Sequence, residues 1–384
     1  MPGPSNAARP VWSLLAIKFS ETLGYAVIIP VIPFLGRQLE ISGFQIGLVF
    51  ALYALAQIVS GPFLGAWSDR RGRRPILLLT QVGTILGFVV LLVSQQYWAL
   101  LLSRVIDGLT GGNTLLLNAQ VLDRYEGKAR ERVLSHLGAA AGVGIIIGPV
   151  VGGYLASVNF SLLIWLSITL STASLVLTYF SLPNTRGHGQ TRFFPLKIWQ
   201  NQSLRTLYTL KFLKEILVNG FVLTLPFYLA TRFGFDEFVS GSFVTGLFVC
   251  ALVYQLTLLA RTLAYRPRRT TLLVVTGTQI LGLMTLYPGN LAWTIVGGVL
   301  FVVGVVIHET LFTVLFGQEK HFEKGVLLGL DQTVSGIGQI IGPVLGYGAI
   351  TLLGPAGWLA SLIAVGGCFL YYAHARLSRS PHAV

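Results

Sequence analysis

The stretch that decides the fold is a glycine-rich sequence that occurs twice. Residues 142–152 read GVGIIIGPVVG and residues 336–346 read GIGQIIGPVLG, so that eight of eleven positions are identical at an offset of 194. Gly144, Gly148 and Gly152 form consecutive small-xxx-small steps, which let apolar helices approach each other closely. Close packing alone would explain these glycines, whereas their recurrence with a Gly-Pro pair half a chain apart also favours a shared mechanical role in two similar halves.

The composition around the repeats is typical of a polytopic membrane protein. Hydrophobic residues make up 53% and charged residues 11% of the 384 residues, with a mean hydropathy of +0.72, whereas soluble domains carry about 25% charged residues. A soluble fold of this size leaves roughly a quarter of its surface exposed and has no core for so much apolar side chain. An ordinary soluble enzyme, a disordered protein and a disulfide scaffold are therefore excluded. The two cysteines lie inside apolar runs and indicate neither a disulfide framework nor a metal cluster.

Apolar runs of about 20 residues are needed to cross a bilayer, and the sequence predicts twelve of them. They lie at approximately 12–35, 44–66, 75–94, 98–120, 133–156, 161–182, 205–231, 238–260, 271–288, 291–316, 326–351 and 357–375. We expect an all-α membrane protein of twelve transmembrane helices in two parallel-related six-helix halves, residues 1–182 and 205–384, joined by a polar linker at 183–204. Parallel half-repeats place a binding site at their interface near the midplane of the bilayer.

The basic residues set the predicted orientation. Of the 27 lysines and arginines, 21 fall in segments on one side of the predicted spans, two fall on the other side and four lie inside spans. The positive-inside rule then places both termini and the linker in the cytoplasm. The net charge of +13 reflects this orientation, and its scatter over many loops argues against a nucleic-acid partner.

Ionisable residues inside the spans are the first candidates for a functional site, because each costs roughly 2.5–3.5 kcal/mol to insert at a helix centre. With one exception they fall on spans 1, 4, 7 and 10, which predicts that these four helices surround a common water-accessible cavity. Spacings of three or four residues give three of the acids a base within reach on the same helix. The candidates for proton coupling are Glu21, Asp107, Glu215 and Glu309, and their candidate charge partners in the cavity are Lys18, Arg104, Lys214 and His308.

A structural interpretation stands beside each of these assignments, since paired charges could merely hold the helices together. Lys211 lies close to a helix end, so we expect it to extend to the membrane interface. Asp331 is as consistent with interfacial exposure as with function. For Glu21 and Asp107 we favour function, because apolar residues would serve packing at lower cost. His308 could titrate near neutral pH or hydrogen-bond a neighbouring carbonyl.

The predicted loop between spans 2 and 3 reads GAWSDRRGRRP over residues 65–75. This sequence resembles the loop signature of the major facilitator superfamily, G-x-x-x-D-R-x-G-R-R, and Arg104-x-x-x-Gly108 resembles the second motif of that superfamily. The first glycine repeat resembles the span-5 motif of its antiporters. The residues that carry the loop signature are Gly65, Asp69, Arg70, Gly72, Arg73 and Arg74. Those of the antiporter-type motif are Gly144, Gly148, Pro149, Gly152 and Gly153, with Gly342, Pro343 and Gly346 in the second copy.

The first half is similar to tetracycline/proton antiporters of the twelve-helix drug-efflux branch. The similarity lies in Glu21-Thr-Leu-Gly, in the Pro-x-x-Pro at 30–33 and in LYALAQ at 52–57. It implies that Glu21 faces the cavity and contributes to proton coupling. It also implies that Asp69 caps a neighbouring helix end and pairs with arginines to hold a cytoplasmic gate closed, in a network that Asp123 joins. In the second half, the counterpart of the loop at 259–269 lacks the glycine and the aspartate.

These features predict a secondary active transporter that exports small amphipathic, drug-like molecules in exchange for protons by alternating access. The alternative is a proton-independent uniporter or a flippase for lipids or metabolites. We expect no enzymatic activity, because the chain has neither G-x-x-x-x-G-K-[ST] nor His-Glu-x-x-His, and no cofactor or metal. The expected partners of a monomer in a bacterial cytoplasmic membrane are protons, lipid and a small substrate of unassigned charge. Aromatic candidates for binding it, each of which could instead pack or face lipid, are Tyr25, Phe221, Phe227 and Tyr228.

Overall fold

The computed structural model describes residues 4–94, 96–185, 201–264, 268–318 and 324–377, and this part of the chain is helical with no strand. The helices of the first half of the chain are α1 (Pro4–Ala26), α2 (Ile32–Gln38), α3 (Gly43–Arg71), α4 (Arg73–Val93), α5 (Tyr97–Leu109), α6 (Asn113–Arg124), α7 (Gly127–Val158) and α8 (Phe160–Ser181). Those of the second half are α9 (Gln202–Val222), α10 (Leu225–Phe233), α11 (Glu237–Thr257), α12 (Leu259–Ala264), α13 (Arg268–Thr285), α14 (Leu291–Gln318) and α15 (Lys324–Leu377). The last of these is kinked at Gly354, whose φ of 72° lies in the left-handed region.

Eight of the described helical segments are long and apolar enough to cross a membrane. Many large apolar side chains on them remain exposed, including Phe63 at 73% and Leu352 at 82%. Exposed apolar surface of this extent requires a nonaqueous partner, which a bilayer supplies. The prediction of an all-α membrane protein is therefore confirmed, while the count of twelve spans stays a prediction.

Three of the four spans predicted to surround the cavity are interrupted. Span 1 is divided between α1 and α2, span 4 between α5 and α6, and span 7 between α9 and α10. Proline explains two of the breaks, since Pro33 and Pro226 lie in the first turn of the helix that follows, where a missing N–H is tolerated. Two consecutive glycines, Gly111 and Gly112, lie in the third break, where glycine lowers helix stability.

The break between α5 and α6 leaves backbone carbonyl groups that need hydrogen-bond donors. Gln57 Nε2 of α3 donates to the Gly111 carbonyl at 2.9 Å, and Ser60 Oγ of the same helix lies 3.2 Å from the Gly108 carbonyl. Polar side chains of a neighbouring helix therefore stabilise an interruption that would be costly in a bilayer.

The chain divides into two compact units. The first unit draws on Met1–Ile41, Leu52–Thr191 and Asp236–Thr245, and the second on Ser42–Ala51, Arg192–Phe235 and Gly246–Val384. Each unit has its own buried apolar core, around Ile17, Leu117 and Leu137 in the first and around Tyr208, Leu311 and Leu330 in the second. The predicted division at 183–204 stays a prediction, and residues 186–200 of that linker lie outside the described residues.

Candidate functional site

One arginine organises the loop between α3 and α4. Arg73 is buried at the start of α4, and its guanidinium contacts two carboxylates, with Asp69 Oδ1 2.5 Å from Nη2 and Asp123 Oδ2 2.8 Å from Nε. Its Nη1 donates to Ser68 Oγ at 2.6 Å. The arginine therefore joins α3, α4 and α6. The pairing of Asp69 with an arginine, which the family resemblance implied, is present, and Asp123 belongs to the same network.

The rest of the loop motif fixes the turn against the end of α8. Gly72 has a φ of 104°, which residues with a side chain rarely adopt, and a Cβ atom there would overlap the Asn184 side chain. Arg74 Nη2 donates to the Tyr179 carbonyl, and its guanidinium lies 5.0 Å above the centre of the Tyr179 ring. The remaining members of the motif, Gly65 and Arg70, lie on α3.

The first glycine repeat places α7 directly against α1. A Cβ atom at Gly144 would lie 3.0 Å from the Leu23 backbone nitrogen, and Cβ atoms at Gly148 and Gly152 would overlap Ala26 and the Val27 carbonyl. Because two of these neighbours are backbone atoms, a larger residue could be accommodated only if one helix moved.

The second repeat makes the same contact between α15 and α9 in the second unit. A Cβ atom at Gly338 would overlap the side chain of Glu215. Cβ atoms at Gly342 and Gly346 would each lie 2.8 Å from a backbone atom of Gly220. The two copies therefore perform the same packing role, each in its own unit.

Pro149 removes one N–H group from the hydrogen-bond ladder of α7, and a hydroxyl of α11 enters the ladder beside it. Val150 N donates to Thr245 Oγ1 at 3.2 Å, and Thr245 Oγ1 donates to the Ile146 carbonyl at 2.9 Å. The threonine thus bridges the two groups that an uninterrupted helix would pair directly. Gly153 lies against the backbone of α11 on the same face.

The corresponding contact in the second unit lacks this hydroxyl. The offset of 194 relates Gly241 and Thr245 of α11 to Gly47 and Ala51 of α3. A Cβ atom at Gly47 would lie 3.0 Å from the Pro343 carbonyl, just as Gly241 lies against the Pro149 carbonyl in the first unit. The close approach is therefore repeated, whereas the inserted threonine is confined to the first unit.

Neutral amide groups surround the Glu21 carboxylate in the first unit. Asn113 Nδ2 of α6 donates to Glu21 Oε2, and Gln81 Nε2 of α4 lies 3.3 Å from Glu21 Oε1. Asn113 is oriented in turn by Thr80, whose hydroxyl donates to the amide oxygen. The Lys18 ammonium donates to Thr114 Oγ1 at 2.5 Å.

Arg104 and Asp107 form a separate buried pair on α5. Arg104 Nη1 lies 3.2 Å from Asp107 Oδ2, and the two side chains are 4% and 10% exposed. The guanidinium lies 5.5 Å above the centre of the Phe88 ring. The predicted pairing three residues apart is confirmed, and its two opposite charges compensate each other in a nearly closed environment.

Two lysines and three acids meet in the second unit. Lys211 Nζ lies 3.2 Å from Glu215, 3.0 Å from Glu309 and 3.5 Å from Asp331. Lys214 Nζ lies 3.0 Å from Glu215 Oε1 and also contacts Glu309 Oε1. We call these five residues the lysine cluster. The prediction that Lys211 extends to the membrane interface is wrong, because its side chain is 5% exposed and points into this cluster.

Three further predicted residues of the second unit, His308, Phe221 and Tyr228, are packed into its core. His308 is 1% exposed and its Nε2 lies 3.2 Å from Thr276 Oγ1. Phe221 is stacked between Phe301 and Trp358 with no exposed surface. Tyr228, 1% exposed, donates its hydroxyl to the Leu286 carbonyl. Phe221 and Tyr228 are therefore packed inside the unit in this structure, and their role in substrate binding stays a prediction.

The two other aromatic candidates keep some exposed surface. Tyr25 is half-buried and stacks on Tyr53 with ring centres 5.7 Å apart. Phe227 is half-buried and packs edge-on against Tyr347 at 5.6 Å.

Glu21 and Glu215 occupy corresponding positions in the two units. The offset of 194 that relates the glycine repeats also relates these two glutamates. Each lies on the helix against which a glycine repeat packs, with Gly144 beside Leu23 and Gly338 beside Glu215. Their surroundings differ, since two amides contact Glu21, whereas Glu215 contacts two lysines as well as the Asn219 amide.

Comparison with known proteins agrees with this architecture. The sequence profile of the Major Facilitator Superfamily matches residues 14–343. The tetracycline resistance protein, class B, of Escherichia coli is 27% identical over 347 residues, which cover 86% of each chain. Multidrug resistance protein 2 of Bacillus subtilis is 24% identical over 347 residues, covering 87% of this chain and 86% of that one. The fold is shared with a bacterial homologue of the human lysosomal transporter Spinster, whose structure was solved in an inward-facing, occupied conformation. The two align with a TM-score of 0.78 at 16% identity, over 100% of this chain and 98% of that one.

Proposed function

The chain belongs to the major facilitator superfamily of membrane transporters, and on that premise we propose that it exports small amphipathic molecules in exchange for protons, by alternating access. The names of two relatives support export of drug-like compounds, since one confers resistance to tetracycline and the other to multiple drugs. We place the protein in a bacterial cytoplasmic membrane, as a monomer with both termini in the cytoplasm.

The observation that carries the proposal is the environment of Glu21. Its carboxylate oxygens accept hydrogen bonds from the neutral amides of Asn113 and Gln81, so a proton can add to this carboxylate without separating it from a hydrogen-bonded cation. Thr80 donates to the oxygen of the Asn113 amide, which orients the amide nitrogen toward Glu21. Such a carboxylate suits a group that loads and releases a proton in each transport cycle.

The other charged residues take supporting roles in this proposal. Arg73 with Asp69 and Asp123 forms the cytoplasmic gate, because separating α3, α4 and α6 would require these ion pairs to break. Asp107 follows Glu21 as a candidate for proton coupling, and Glu215 and Glu309 come after it. Tyr25 and Phe227 remain proposed substrate contacts.

The test is transport by the purified full-length protein in liposomes, with a pH gradient and a panel of amphipathic drugs. We expect substrate-dependent proton flux from the wild type, whereas a uniporter or flippase would move substrate without it. Glu21→Gln mimics the protonated carboxyl group, so proton-driven accumulation should vanish while downhill exchange of substrate for substrate persists. Glu131→Gln removes an exposed acid of α7 and should behave like the wild type.

Accumulation of substrate by Glu21→Gln against a gradient would move the proton site to Asp107, Glu215 or Glu309, to be tested in that order. A variant that fails to fold would show that Glu21 has a structural role.

A further inference from the structure

The lysine cluster contains more acid than its two lysines require. Glu215 lies within 3.2 Å of both ammonium groups, and Asp331 lies 3.5 Å from that of Lys211. These two carboxylates already balance the two lysines. Glu309 is therefore a third carboxylate in a cluster that is neutral without it, and charge neutrality does not explain its presence.

The exposure of the five side chains is graded, with Asp331, at 22%, between the extremes. The lysines are 5% and 1% exposed and Glu215 is 8% exposed, whereas Glu309 is 47% exposed. The most accessible group is thus a carboxylate that touches both buried ammonium groups, one with each oxygen. This arrangement has the geometry of a carboxylate ligand bound between two lysines, with the carboxylate supplied by the protein itself.

Glu309 has space into which it can move away from the lysines, because 47% of its side chain is exposed. The ammonium groups cannot follow, since they are buried among apolar residues, and Phe312 lies 5.7 Å from Lys211 Nζ. Another carboxylate that replaced Glu309 would leave the charge of the buried cluster unchanged. By contrast, the Arg104–Asp107 pair of the first unit is one-to-one and nearly closed, and it has no position that a ligand could take.

We propose that Lys211 and Lys214 bind the carboxylate of an anionic amphipathic substrate, and that Glu309 occupies the position of that carboxylate while the substrate is absent. The inference deepens the proposed function by naming the substrate class. That the bound anion is transported rests on the proposed function, whereas its binding can be measured without transport. The apolar surroundings favour a carboxylate attached to an apolar body over a small hydrated anion.

The test uses the full-length protein in an uncharged detergent, with affinities taken from ligand-dependent thermal unfolding. Phenylbutyrate is the probe, and its primary amide and phenylbutylamine are matched compounds with neutral and positive head groups. We expect only the acid to stabilise the wild type. Glu309→Gln removes the competing carboxylate. If Glu309 leaves the lysines free in about a tenth of the wild-type molecules, the variant should bind the acid about tenfold more tightly, because the lysines are then free in all molecules. Glu131→Gln is the control and should match the wild type.

Lys214→Gln in the Glu309→Gln background should reduce the affinity for the acid at least tenfold. If the lysine variant does not fold, the comparison of acid with amide in Glu309→Gln decides alone. Oleate, a fatty acid that partitions into the bilayer, tests whether the ligand reaches the site from the membrane. If oleate stabilises the protein and competes with phenylbutyrate, the site accepts a membrane-borne ligand. Binding of phenylbutyrate alone supports one from water.

Three results would overturn the proposal: equal binding of acid and amide, stabilisation by the amine instead of the acid, or an unchanged affinity in Glu309→Gln. Because no proton gradient is present, a failure here is distinct from a failure of proton coupling in liposomes.

Discussion

Substitution of alanine for glycine on α7 tests whether the glycine repeat serves close packing. The helix offers a matched pair for this test, because one of its glycines is tightly packed and another has open space beside it. A Cβ atom at Gly152 would overlap the Val27 carbonyl, whereas one at Gly142 would meet nothing within 4 Å. Alanine gains about 1 kcal/mol over glycine in a helix interior. Overpacking costs about 1–3 kcal/mol, and the upper end applies at Gly152 because the obstructing atom belongs to the backbone.

Gly142→Ala should therefore stabilise the protein by about 1 kcal/mol, and Gly152→Ala should destabilise it by about 2 kcal/mol. The two variants should therefore differ by about 3 kcal/mol. At an unfolding entropy of about 2.1 cal/mol/K per residue over 384 residues, this corresponds to about 4 °C in unfolding temperature, measured for both purified variants in one detergent at one scan rate. Gly346→Ala in the second repeat should behave like Gly152→Ala, because its Cβ would lie 2.8 Å from the Gly220 carbonyl. Equal stability of Gly142→Ala and Gly152→Ala would refute the packing argument, since it would mean that α7 can shift away from α1 without cost.

Three further predictions concern other parts of the molecule. Thr245→Val removes the hydroxyl that bridges two backbone groups of α7 and should lower the stability by about 1 kcal/mol, measured by thermal unfolding. The control is Thr257→Val, which should have no effect because Thr257 is exposed and its hydroxyl bonds only within its own helix. Asp69→Asn leaves Arg73 one carboxylate and should leave the protein folded but slow transport in liposomes, and normal turnover would reduce the loop motif to a topology anchor. Reporters placed after Val384 and within 183–204 should both indicate the cytoplasm, and opposite locations would mean that the span count is wrong by an odd number.

The sequence was sufficient to predict the fold because the relevant signals are local. Apolar runs, the repeated glycine motif and the loop at 65–75 are each contained within a few dozen residues, and the superfamily match over 14–343 agrees with them. The ion pairs Arg104–Asp107 and Lys211–Glu215 were predictable for the same reason, since residues three or four apart on a helix are neighbours.

The partners of Glu21 were not predictable in this way. Asn113 and Gln81 lie 92 and 60 residues from it in the sequence, and an amide within an apolar run does not indicate which helix it will face. The misjudged position of Lys211 has a related cause. Its distance from the helix end suggested an exposed ammonium group, but Glu309 and Asp331 come from helices whose packing the sequence does not specify.

The two halves of the chain keep one scaffold and differ in the chemistry placed on it. The offset of 194 aligns the two glycine repeats. It also aligns Gly47 with Gly241, which lie against the two prolines, and Glu21 with Glu215. What distinguishes the glutamates is their contacts: two neutral amides contact Glu21, whereas two ammonium groups contact Glu215 in addition to the Asn219 amide. A carboxylate held by amides can change its protonation without breaking an ion pair, whereas Glu215 balances the charge of the lysines beside the position that we assign to the ligand. On these two proposals, one duplicated helix position serves proton exchange in the first unit and charge balance beside a ligand site in the second, because the residues around the two glutamates differ while their place in the fold is the same.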